Sequence, residues 1–309
     1  MKVAVCAVTY LRPRGLARLL EGLCTLRFEG PRPPELEIVV VDNDPARSAE
    51  AVCDEWSDRL PWPLRYRHEE RRGVSHARNA AVVAAREAGA EMMAFIDDDE
   101  VPQPGWLSEL LRVQAQHGAD VVAGPVLPVF EGEVPEWVKR GGFFEAPRLP
   151  TGAHKGDPGA GNVLIRMAVL RDMPEPFDPR FTLSGGEDTH LFLRLARAGA
   201  VMVWADEAVA LEWTPASRTR ARWILQRVYR TANTWSVCER ELHPTLGAAV
   251  VRAGKGVARI GIGLATLPAA VVRGRAGVVR SLWYVCWGAG NLTGLTRLRF
   301  QEYRTIHGD

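Results

Sequence analysis

Over its first hundred residues the chain alternates between two hydrophobic periods, and that alternation restricts its fold more than any other feature. KVAVCAVTY and EIVVVDND are short, β-rich apolar runs; between them Leu16, Leu19, Leu20 and Leu23 recur at i, i+3, i+4 and i+7, one face of a helix. A second helical pattern follows, with Ser48 as its expected N-cap and Val52, Trp56 and Leu60 facing inward. LRYRH then reads as a strand, and GVSHARNAAVVAAREAGA as an alanine-rich helix capped near Ser75 and closed by Gly89. MMAFI is the next strand. Strands separated by helices in this way predict an α/β chain with a mainly parallel sheet covered on both faces.

In open sheets of this kind, ligands sit beyond the carboxyl ends of the strands. Three of the predicted strand ends carry polar residues: Thr9 and Tyr10, then Asp42, Asn43 and Asp44, then Asp97, Asp98, Asp99 and Glu100. From residue 101 onward PGWLSELLRVQAQHG reads as a helix, ADVVAGPVLPV as one strand, NVLIRMAVL and VMVWADEAV as further strands, and 217–240 as helical. These patterns divide the chain into 1–100, 101–215 and a helical extension over 216–309.

Four adjacent carboxylates repel one another unless a cation sits among them, and oxygen ligands suit a hard ion such as Mg²⁺ or Mn²⁺. An ion held by one or two carboxylates keeps positions open for phosphate oxygens. A second acidic feature, Gly185-Gly186-Glu187-Asp188, precedes THLFLRLARAG. Carboxylates there serve either as a helix cap or as a general base kept ionised by the helix N-terminus. The paired glycines allow close backbone approach and favour the second reading.

AVTYLRP, VVVDND, GVSHARNAA, FIDDDE followed by PGWL, GAGNVLIR and FDPRFTLSGGEDTHLFLRLARAG occur in that order. Together, over about residues 2–235, they resemble the inverting glycosyltransferases of family 2, with their GT-A fold, and above all the bacterial exopolysaccharide branch. The resemblance implies a nucleotide-sugar donor, most often UDP-linked. Thr9, Tyr10, Arg12, Asp42, Arg78, Asp97 and Asp98 would then serve the nucleotide, and Asp99 with Asp97 the metal. It also implies Asp188 as the base that takes the acceptor's proton, with Glu187 beside it. His154, Lys155 and Trp137, in or near the glycine-rich loop TGAHKGDPGAGN, are expected at a lid or acceptor site. Gln226-Arg227-Val228-Tyr229-Arg230 is not the QxxRW of processive synthases. Arg218, Arg227 and Arg230 are expected either at a phosphate or on a solvated face.

The net charge of +2 hides an asymmetry: residues 248–309 hold nine Lys or Arg against Glu302 and Asp309. IGIGLATLPAAVV, interrupted by a proline, and SLWYVCWGAGNL are too short to span a bilayer. Basic residues flanking such segments predict helices lying on an anionic membrane surface, where a lipid-linked saccharide acceptor would be met. Five scattered cysteines without a CxxC pair predict reduced thiols, and KVAVCAVTY reads as a strand rather than a signal peptide. The expected location is cytoplasmic, peripheral on the inner membrane face, with no nucleic-acid partner.

Rival readings fare worse. A sugar nucleotidylyltransferase needs a glycine-rich basic loop after the first strand, and AVTYLRPRG has one glycine. A DDxxD prenyl synthase needs an Asp where Val101 and Pro102 stand, in all-helical surroundings. A non-catalytic carbohydrate-binding subunit would not need both acid sites.

Overall fold

A computed structural model describes residues 1–28, 33–145 and 148–296. The alternation appears as β1 (Lys2–Thr9), α1 (Pro13–Cys24), β2 (Glu35–Asp42), α2 (Glu50–Ser57), β3 (Leu64–His68), α3 (Val74–Glu87) and β4 (Met92–Ile96). The middle of the chain contains β5 (Glu100–Pro102), α4 (Trp106–His117), β6 (Val121–Ala123), β7 (Val126–Phe130), α5 (Glu136–Gly141) and β8 (Asn162–Arg166). Then come α6 (Glu187–Arg197), β9 (Met202–Trp204), β10 (Ala210–Thr214), α7 (Ala221–Leu242), α8 (Leu246–Val272) and α9 (Gly274–Gly294).

Seven strands form one sheet in the order β3-β2-β1-β4-β8-β6-β9. It is parallel from β3 to β4, and β8 runs antiparallel to both neighbours. A smaller sheet, β5-β10-β7, sits beyond it. The alternation within β1 decides which layer covers which face. Val3 and Val5 pack under α1, where Leu16, Leu19, Leu20 and Leu23 are fully buried. Ala4 and Cys6 face α3, whose alanines let the helix lie close to the sheet. Burying each such leucine contributes about 1.5–3 kcal/mol.

Local signals were less faithful than periodicity. Ser48 does not cap α2; Ala49 is the N-cap residue, and its amide donates to Asp42 Oδ2 at 2.9 Å. Ser75 lies inside α3 and donates to Asp178 O, while the N-cap is Gly73 at φ 129°. A Cβ there would lie 1.9 Å from Thr182 Cγ2, so that entry requires glycine. The strand read over ADVVAGPVLPV is broken into β6 and β7 at Gly124-Pro125. The backbone there crosses Ala208 O so closely that a Cβ would come within 2.1 Å of it.

The two apolar segments near the end are longer than their hydrophobic runs. The first extends into the 27-residue α8, which passes through Pro268 on an exposed turn and is long and apolar enough to cross a membrane. The sequence-based expectation of a segment too short to span is corrected on that point: flanking residues continue the helix. α8 and α9 pack through Gly256, Gly263 and Gly288, and α9 meets α7 through Gly290 and Gly294. Much of the remaining surface of α8 is apolar and exposed, including Val250, Val257, Ile262 and Leu264. Arg297, Arg299, Glu302, Arg304 and Asp309 lie outside the described residues.

Candidate active site

The ends of β1 and β4 open onto a cleft of about 670 Å³. On its floor the segment after β4 makes a tight turn, closed by the Glu100 amide on Asp97 O at 3.0 Å and held from outside by the Trp213 amide on Asp99 O at 2.8 Å. α1 packs so tightly on the turn that a Cβ at Gly15 would come 2.6 Å from Asp98 O. This turn aims three carboxylates in three directions.

Asp98 points back into the protein. Its Oδ2 accepts from Thr9 Oγ1 and its Oδ1 from Arg12 Nη1, both at 2.8 Å. Burial, opposed by Arg12, pushes its carboxyl up to about 6. Asp99 Oδ2 accepts from Arg12 at 3.1 Å and from Arg218 at 2.9 Å. Asp97 is half-buried, with Oδ1 accepting from Arg78 Nη2 at 3.2 Å. Burial and the neighbouring Asp99 and Asp188 charges raise its carboxyl despite Arg78. Gly161 leaves room beside it, since a Cβ would sit 2.5 Å from Glu100 Oε1 and 3.1 Å from Asp97 Oδ2.

Arg78 is 5% exposed and joins the two acidic motifs. Its Nη1 lies 3.0 Å from Oε1 of Glu187, the first residue of α6. Glu187 is buried behind the cleft; desolvation, only partly offset by Arg78 and aided by the Asp188 charge, pushes its carboxyl up to about 7. Asp188, one residue on, lines the cleft. Its Oδ1 accepts from the Thr189 amide at 2.7 Å and its Oδ2 from the Ala160 amide at 3.4 Å. Both motifs, 90 residues apart in the chain, thus meet on one arginine. Gly186, at φ 93° and with Thr234 Cγ2 1.9 Å from where its Cβ would be, fixes how α6 enters.

The far wall comes from β10 and α7. Arg218, on a one-turn 3₁₀ helix ahead of α7, is buried and pairs with Glu212 as well as Asp99, so it is not on a solvated face. Trp223 stacks on Phe144 at 6.0 Å, and Arg227 and Arg230 complete this side. Tyr10, beneath the Arg72 guanidinium at 5.4 Å, forms the opposite lip.

Besides Glu187, buried behind the cleft, three predicted residues fall outside its lining. Asp42 is completely buried and spent on structure: it accepts from the amides of Asp44 and Ala49 and from Tyr66 Oη, and Asn43 lines the cleft in its place. Trp137 packs in a satellite core with Val138 and Phe143, under Arg275. His154 forms a bridge with Val203, which pins the glycine-rich loop to the sheet edge; Lys155 lines the cleft beside it. That loop is therefore not a free lid over residues 152–155. Sequence reading missed Arg72, Asp157, Glu212 and Trp223, which converge only through the fold; Glu212, a lone acid within a short apolar strand, was the one local signal.

Away from the cleft, Asp178, His190 and Glu241 lie close enough to suggest a metal site. The Arg180 Nη2 atom already stands between the two carboxylates, 2.6 Å from Asp178 and 2.9 Å from Glu241, so this cluster is an ion-pair clamp.

Residues 4–173 match the family model for glycosyl transferase family 2. The succinoglycan biosynthesis protein ExoM of Rhizobium meliloti is 33% identical over 235 residues, covering 75% of this chain and 72% of that protein. A pre-mycofactocin glycosyltransferase of Mycobacterium tuberculosis is 31% identical over 224 residues, 67% of this chain and 45% of that one. Among solved structures, the Pyrobaculum calidifontis mannosyltransferase PcManGT, in complex with GDP-Man and Mn²⁺, shares the fold with a TM-score of 0.60 at 17% identity, covering 94% of this chain and 86% of that one. TarS of S. aureus in complex with UDP-GlcNAc does so at 0.52 and 17%, covering 92% and 90%. The fold is thus that of the GT-A glycosyltransferases, and the chain belongs to glycosyl transferase family 2.

Proposed function

We propose that this enzyme moves one sugar from a nucleotide-sugar donor, read as UDP-linked, to a hydroxyl of a lipid-linked saccharide in polysaccharide assembly, with inversion at the anomeric carbon. The observation that carries the reading is the shared arginine: Arg78 ties Asp97 on the donor side to Glu187, and through it the placement of Asp188 on the acceptor side. A donor seated between them exposes one face of its sugar to Asp188. The name of the succinoglycan relative supports polysaccharide assembly, and the nucleotide sugars bound by the two structural neighbours support the donor class.

In this mechanism the Asp188 carboxylate, held by the Thr189 and Ala160 amides, accepts the proton of the attacking hydroxyl as its oxygen bonds to the anomeric carbon. Glu187 backs it and keeps α6 in register with the acid turn through Arg78. Tyr10 and Asn43, on the β1 and β2 side of the cleft, face the nucleoside, and Thr9 holds the turn by its bond to Asp98. Arg12 and Arg218, already on Asp99, bring positive charge to the departing diphosphate. The oxygen-only donor set of Asp97 and Asp99, with the space left by Gly161, fits a hard divalent ion. Mg²⁺ or Mn²⁺ held there would neutralise charge on the leaving group.

The exposed apolar face of α8, with Lys255 along it and Arg273 and Arg275 at its end, is read as resting on an anionic inner membrane face. Proton NMR of the anomeric position during turnover of a nucleotide-sugar panel tests the reaction class: a product of inverted configuration is expected. Retention, or no turnover with any donor, overturns it.

A further inference from the structure

We propose that Asp157 is a second acceptor-side carboxylate, which orients the saccharide by accepting a hydrogen bond from a hydroxyl neighbouring the one that attacks. The inference rests on the reading of the cleft given above and deepens it.

The segment that carries Asp157 is fixed at both ends. Gly152 N donates to Trp204 O, Trp204 N to Ala153 O and Lys155 N to Met202 O, at 2.8–3.0 Å, which bind its first half to the edge strand β9. Its second half runs into β8 at Asn162, and on the way the Ala160 amide meets Asp188 Oδ2 at 3.4 Å. Asp157 lines the cleft between these anchors, in the same loop whose backbone touches the proposed base.

Its Oδ1 is buried and has no hydrogen-bond partner among the described residues. An acceptor left in that state costs about 1–3 kcal/mol, and native proteins keep few of them without a use. Pro158, which follows directly, lacks an amide hydrogen and offers it no donor. Asp157 and Asp188 line the same cleft, and burial together with the Asp188 charge pushes the Asp157 carboxyl up to about 7. What both lack is a ligand bearing adjacent hydroxyl donors. A pyranoside with vicinal hydroxyls has that chemistry: one hydroxyl for Asp188 to deprotonate, the next for Asp157 to hold.

The full chain, Asp157→Asn and Asp157→Ala are compared with the donor that wild type turns over fastest, n-octyl β-D-glucopyranoside serving as probe acceptor. Release of nucleoside diphosphate is followed with and without the probe, and thermal unfolding is recorded for all three proteins. Donor hydrolysis by water within about twofold of wild type, a rise of about tenfold or more in KM for the probe, and an unfolding temperature equal to or above wild type are expected. An unchanged KM for the probe overturns the inference. So does a lowered unfolding temperature with parallel loss of hydrolysis, which would make Asp157 structural. Wild-type protein inactive with every donor defeats the reading of the cleft itself, and this inference with it.

Discussion

Arg78 Nη1 and Glu187 Oε1 lie 3.0 Å apart, and the two side chains are 7% and 3% exposed. Such a pair is tolerated only while both members stand, since removing one leaves an uncompensated buried charge. Arg78→Ala should therefore destabilise the fold by about 3–5 kcal/mol in urea unfolding. A loss below about 1 kcal/mol would mean that the arginine is not what holds the two acidic motifs together.

Buried carboxyls make the fold sensitive to pH in a defined direction. Glu187 is raised from 4.5 to about 7 in the folded protein, so the native state holds this proton more tightly than the unfolded chain. Its contribution is complete below about pH 4.5 and is lost as pH rises through about 7. Asp98, raised to about 6, acts in the same sense. Urea midpoints measured from pH 4.5 to 8 should show this decline, and Glu187→Gln should show a shallower one. An identical slope in the variant would remove Glu187 from the account.

Asp99 faces two arginines and, in the proposed reaction, a divalent ion. Calorimetry of UDP with Mn²⁺ should show a loss of about tenfold or more in affinity for Asp99→Ala, and the ion should no longer strengthen binding. Equal affinities with and without Mn²⁺ in wild type would argue that Arg12 and Arg218 alone meet the diphosphate.

Val257 and Leu264 on α8 are 60% and 56% exposed, so glutamates there should change stability by about 0.5 kcal/mol or less. The double variant should fail to float with phosphatidylglycerol vesicles that carry the wild type. Unchanged flotation would move the membrane contact elsewhere.

Periodicity was the most legible signal, because burial on one face leaves its mark at every second or every third and fourth residue. It placed α1, the alternation up to β4 and the acid turn. Roles that depend on partners far along the chain were harder to read. Asp42 looked like a ligand residue at a strand end, yet its partners, at 44, 49 and 66, occupy both oxygens. Arg78 was expected at the nucleotide, but nothing local shows that positions 97 and 187 converge on it. Arg218 could be read for a phosphate or a solvated face, but its charge is satisfied by Asp99, 119 residues away. The loop at 151–161 seemed free because its anchors are backbone bonds to β9, which leave no side-chain signature.

The most direct measurement is Asp188→Asn, assayed for both transfer and nucleotide binding. The substitution keeps the shape and the cleft position of the side chain but removes its capacity to take a proton. Turnover should fall by about 10²–10⁴-fold while UDP affinity stays within about threefold of wild type. Turnover that survives, or that falls only in step with binding, would contradict the assignment of position 188 as the base.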